Sequence, residues 1–145
     1  MPGRHRLFVR RRDGRVEVRL NDAARAIARE AFGHVVAAER DPDHEWGPTL
    51  TAPVDPTRDE DDPTTTLARQ RATATNAELA VASLREPFLT DAEAWAWLCT
   101  LQVALRATAV SRGLLTDDKL AEADDDVMND IRIMQSFLFD LAECF

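Results

Sequence analysis

Apolar and polar residues alternate on both flanks of Asp13-Gly14 in LFVRRRDGRVEVRL, residues 7 to 20. Period-two alternation marks a half-buried strand, and Asp-Gly can supply the two φ > 0 residues of a type I′ turn. That turn pairs Arg12 with Arg15, Arg10 with Glu17 and Phe8 with Arg19. One face then collects Leu7, Val9, Val16, Val18 and Leu20, with Arg11 near the turn. On the other, Arg10 meets Glu17 and Arg19 lies over Phe8. A lone hairpin is marginally stable, so the apolar face has to cover something.

After residue 20 the apolar period changes from two to between three and four. Asn21 is a good N-cap for a helix reaching about Glu39. Its stripe is Ala24, Ile27, Ala28, Ala31, Val35 and Ala38, with Phe32 and Val36 beside it. Gly33 lowers helix stability by about 1 kcal/mol against Ala, which suggests a close helix contact there. Residues 41 to 63 lose all periodicity: prolines and acids rule out helix and leave a long acidic loop around Trp46. A Trp in such a loop either docks on its own domain or waits for a partner.

Helical pattern resumes over 64 to 86, with a capping box at Thr75 and Glu78 that marks a break and restart. Pro87 ends it. Thr90 and Glu93 make a stronger box before WAWLCTLQVALRATAVSRG, apolar on most sides and therefore the buried centre. Gly113 is a fitting C′ residue. A final stripe of Val127, Ile131, Met134, Phe137 or Leu138, and Leu141 begins near Asp124 to Asp126, whose charges suit a helix N-terminus. The expected fold is α+β and predominantly α: an N-terminal β-hairpin on a small antiparallel bundle of four to five helices. It forms one domain, 1–145, with the hairpin at 5–20, a helix at 21–40, the acidic loop at 41–63 and the helical bundle at 64–145.

Charge divides the chain. The net charge is −8, but residues 1 to 40 carry +5 and residues 41 to 145 carry −13. Seven arginines fall in the first twenty residues. A basic end on an acidic body suits a partner or anion site, or equally a basic segment docked on its own body. The acidic total argues against wholesale nucleic-acid binding. No apolar run reaches membrane-spanning length, and arginines interrupt any signal-peptide core. The expected location is the cytoplasm.

Catalytic chemistry finds no foothold. There is no Gly-rich phosphate loop, no nucleophile elbow and no zinc-protease motif. His5, His34 and His44 lack neighbours at ligand spacing. The acids at 59 to 62 and 123 to 126 lack the spaced ligands and Gly turn of a calcium loop. No enzyme activity, metal or cofactor is expected.

Cys99, amid Leu98 and Leu101, reads as an inert core thiol. Cys144, near the chain end, reads as the better redox candidate. In antiparallel helices the two would be offset by roughly 10 Å along the axis. A disulfide requires Cα atoms within about 7 Å, so a bridge needs a favourable stagger or a frayed end.

Several segments together carry a resemblance. They are DGRVEVRL, the Ala-rich helix, the acidic Pro loop, Asn76-Ala77-Glu78-Leu79, LTDAEAWAWLCTLQVALR, Gly113 and the last apolar helix. Over most of its length the chain resembles an actinobacterial domain-of-unknown-function family encoded near the Clp-protease adaptor. That family includes AosR-type oxidative-stress transcriptional regulators. The resemblance implies a cytoplasmic regulator working by protein contact, with a sigma factor or a Clp-related component as partner. Redox response in that group belongs to closely spaced cysteines, which Cys99 and Cys144 are not.

Four readings stand side by side. One is a regulator whose contacts include Arg11, Arg12, Arg15 and Trp46. A second is direct DNA binding by the arginine hairpin, and a third is a thiol switch on Cys99 and Cys144. The fourth is a structural domain that pairs with its own copy through exposed Phe139 and Phe145.

Overall fold

Only Gly14 has positive φ among the described residues, at 89°, and this decides the hairpin. Its N–H donates to the Arg11 carbonyl at 3.1 Å, and the Arg11 N–H donates to the Arg15 carbonyl at 2.8 Å. This is a type I turn followed by a left-handed Gly, the three-residue connection and not the two-residue one. The register therefore differs by one from the alternation-based pairing. In β1 (Phe8–Arg10) and β2 (Val16–Val18), Phe8 pairs with Val18, Val9 with Glu17 and Arg10 with Val16. A one-residue slip turns every side chain of a strand over. Phe8 is consequently fully buried with Val16 and Val18, and Arg10 replaces Val9 on the inner face. The expected Arg10–Glu17 and Arg19–Phe8 pairs do not form.

The computed structural model describes residues 6–41, 43, 44, 46, 63–111 and 125–145. Chain order continues through α1 (Asp22–Arg40), α2 (Pro63–Ala82), β3 (Phe88–Leu89), α3 (Asp91–Ser111) and α4 (Asp125–Ala142). The fold is α+β and predominantly α, with four helices among the described residues and a three-stranded antiparallel sheet in the order β1-β2-β3. The third strand, pairing Leu89 with Val16 and Phe88 with Glu17, is absent from the sequence reading. Two residues are too few to show alternation.

Local chemistry sets the helix starts. Asn21 Oδ1 accepts from the Ala24 N–H at 2.8 Å. Thr90 and Glu93 form the reciprocal capping box, at 2.8 and 3.2 Å. Helix α2 begins on Pro63, a position that tolerates the missing N–H, and runs unbroken through Thr75 and Glu78. The expected break there does not occur. Gly113, the acids at 59 to 62 and the whole 114 to 124 stretch lie outside the described residues.

Helix α3 contacts each of the other three helices and is the centre of the fold. Ala77 and Ala80 of α2 and Ala94, Ala104 and Ala107 of α3 have no exposed surface, and their small side chains let the backbones approach. Trp97 fills the middle. Its ring meets Phe8 and Phe32 edge-on, at 5.9 and 5.1 Å between centroids. Its Nε1–H donates to Ser83 Oγ at 2.8 Å, and that hydroxyl donates to the Leu79 carbonyl at 2.8 Å. The sheet, α1, α2 and α3 thus meet on one side chain.

Gly33 makes no close helix contact. A Cβ built there meets nothing within 4 Å, and the residue is exposed. Gly33→Ala should therefore stabilise the fold by about 1 kcal/mol, read as a higher urea midpoint. A lower midpoint would mean that the glycine has a role beyond the helix.

Candidate functional site

All but one of the described hairpin arginines are answered from within the chain. Arg6 donates to Glu143 at 3.1 Å. On the outer face of the sheet, Arg11 and Arg19 flank Glu17 at 3.1 and 3.3 Å. Arg15 reaches Asp13 at 2.7 Å, and its guanidinium carbon lies 4.5 Å from the centre of the Phe88 ring. These hydrogen bonds from Arg15 hold the Asp13 carboxyl below its ordinary range. Exposed pairs like these are screened by solvent and contribute little to stability. Their effect is to neutralise the hairpin locally and fix where its charges point. Arg12, at the tip, has no such pairing among the described residues.

Arg10 differs because the register turns it inward. Its Nε donates to the Cys144 carbonyl at 2.9 Å. Its Nη1 reaches both the Gly14 carbonyl and the Asp91 carboxylate. One guanidinium therefore joins the hairpin turn, the first residue of α3 and the segment after α4. Asp140 ties the same elements from the other side: its Oδ2 accepts from the Leu7 N–H at 2.9 Å. Asp140 is only 1% exposed. No sequence pattern marks it, although it lies three residues after Phe137 on the α4 stripe.

An exposed aromatic patch sits beside this clamp. Trp95 is 52% exposed and Phe145 53%. Their rings meet edge-on at 5.8 Å, and the Arg10 guanidinium carbon lies 5.5 Å from the Phe145 ring centre. The run WAWLCTLQVALRATAVSRG, apolar on most sides, predicts a buried Trp95, and the fold leaves it exposed. Phe145 and Phe139 are exposed as that reading had them, and Phe139 stands out on α4.

The other candidates lie inside. Trp46 is buried, in a three-ring cluster with His34 at 5.1 Å and His44 at 5.9 Å. Its backbone N–H donates to His44 Nδ1 at 3.1 Å. It docks on its own domain, so its ring is not available to a partner. Cys99 and Cys144 are both free thiols. Cys99 is half-buried, while Cys144 is buried and directs its Sγ at the Asp140 carbonyl, 3.7 Å away. Burial pushes both thiols above the ordinary range; for Cys144 it outweighs the opposing pull of Arg6 and Arg10.

A raised thiol pKa means less thiolate at any given pH, and thiolate is the nucleophile. Alkylation of the native protein near pH 8 should therefore be slower than that of a free cysteine and should accelerate only at higher pH. Labelling at the free-cysteine rate near neutral pH would contradict this.

Among the described residues no group of three or more His, Cys, Asp or Glu side chains is placed to hold a metal ion. No described helix is long and apolar enough to cross a membrane. The chain matches no family model, no curated protein and no solved structure.

Proposed function

We propose that the chain is a non-enzymatic regulatory domain that acts by protein contact, with the Trp95–Phe145 patch as its contact surface. The observation that carries the reading is this pair of half-exposed rings with Arg10 alongside. Trp, aromatic and Arg side chains are the groups that dominate binding energy at protein interfaces, and exposed apolar clusters mark such sites. The resemblance to AosR-type regulators supports a sigma factor or a Clp-related component as partner and oxidative-stress transcription as setting. Direct DNA binding draws less support, since Arg6, Arg10, Arg11, Arg15 and Arg19 are already engaged within the chain.

The test is retention of sigma factors and Clp components on the immobilised full chain. The same assay is run with the Trp95→Ser/Phe145→Ser variant. Wild type should hold a partner that the variant releases, with the variant's melting curve intact. Retention of none by the wild type, or equal retention by both, overturns the reading. Light scattering reports whether the patch is instead covered by a second copy.

A further inference from the structure

A second surface shares no residue with the aromatic patch. It is a groove of about 700 Å³ between the first half of α1 and the C-terminal end of α2. Arg25 and Arg29, one turn apart on α1, line one wall, and Arg85 lines the other. Arg25 is fixed in place: its Nη1 donates to the Leu84 carbonyl at 2.6 Å and its Nη2 lies 3.5 Å from the Val18 carbonyl. Carbonyls hold it without cancelling its charge. Arg29 and Arg85 are exposed, and neither pairs with another residue among the described residues.

Val81, 39% exposed, lines the same groove with the buried Leu84. Asp22 and Glu86 also line the groove, so its lining combines three positive and two negative charges with the apolar Ala26, Val81, Ala82 and Leu84.

We propose that this groove binds an acidic peptide segment of a partner protein. Carboxylates of the peptide lie on Arg29 and Arg85, and one aliphatic side chain covers Val81 and Leu84. Charge complementarity identifies the occupant. The planar guanidinium fork matches a carboxylate in two parallel hydrogen bonds. An unpaired arginine pair on a chain of net charge −8 is a local reversal of sign. The exposed Val81 asks for an apolar partner, which a nucleic-acid backbone does not offer. Asp22 and Glu86 repel anions in general, so they disfavour an unbroken run of negative charge such as a phosphate backbone and favour carboxylates set on either side of an apolar residue.

The experiment uses the full chain and a fluorescent set of short peptides of Asp and Glu flanking a single Leu, at physiological salt. Parallel arms hold the same peptides with Ala in place of Leu, and a duplex DNA. Peptides with Leu should bind. Arg29→Glu and Arg85→Glu should each weaken them at least about tenfold, Val81→Ser and the Ala peptides should show weaker binding, and Arg12→Glu should leave it unchanged. All four positions are exposed, and melting curves confirm folding. Failure of every peptide to bind, equal loss with Arg12→Glu, or preference for the DNA overturns the proposal. The Trp95→Ser/Phe145→Ser variant should bind the peptides normally, so failure here and failure of the aromatic patch are separate results.

Discussion

Trp97→Ala should cost about 3–5 kcal/mol, the range for removing a large buried aromatic side chain. Domains of this size have roughly 5–15 kcal/mol of stability in total, so the variant should be marginal or unfolded at room temperature. The loss falls on Trp97 because Phe8 of the sheet, Phe32 of α1 and Ser83 after α2 all touch it. Trp97→Phe separates the two contributions. It keeps a ring between Phe8 and Phe32 but removes part of the indole volume and the donor to Ser83, whose own hydroxyl still donates to Leu79. It should cost clearly less than the alanine variant. Urea denaturation followed by circular dichroism measures both, and an alanine variant within 1 kcal/mol of wild type would contradict the central role of the ring.

Asp140→Ala should cost about 2–3 kcal/mol and loosen the start of the chain specifically. The substitution leaves the Leu7 N–H without its carboxylate acceptor. It also removes a negative charge beside the Cys144 thiol, one that raises the thiol's pKa where Arg6 and Arg10 lower it. Asp140→Asn keeps an oxygen at the same place and should cost less. Hydrogen exchange at the Leu7 amide is the sharper readout: it should accelerate strongly in the alanine variant while amides in the middle of α3 stay protected under native conditions. Unchanged exchange at Leu7 would mean that the carboxylate does not hold the hairpin.

The helices were readable because their signals are local. Asn21, and Thr90 with Glu93, act within one turn, and the stripes of α1 and α4 follow a simple period. The hairpin was readable as a hairpin but not in its register. Asp13-Gly14 serves a two-residue turn or a three-residue one, and alternation fits both with opposite faces buried. Packing decides: Phe8 covers more of Trp97 than a valine could, and the inward turn of Arg10 is met by Asp91 and the Cys144 carbonyl. Both partners of Arg10 lie 81 and 134 residues away, beyond any pattern in the sequence. The exposure of Trp95 was hidden for a related reason. The apolar circumference of α3 is wider than the surface its neighbours cover, and composition alone does not say which aromatic is left outside.

The basic segment that suggested a nucleic-acid arm is, in the structure, largely a set of internal ties. Arg10 and Arg12 give the cleanest contrast, since they are two positions apart and differ in what they touch. The deciding measurement is the urea midpoint of Arg10→Met against that of Arg12→Met. Methionine preserves most of the apolar stem in each. Arg10→Met should lose about 1–2 kcal/mol through its charged hydrogen bonds, and Arg12→Met should stay within about 0.5 kcal/mol of wild type. Equal midpoints for the two variants would contradict the reading of the hairpin arginines as structural.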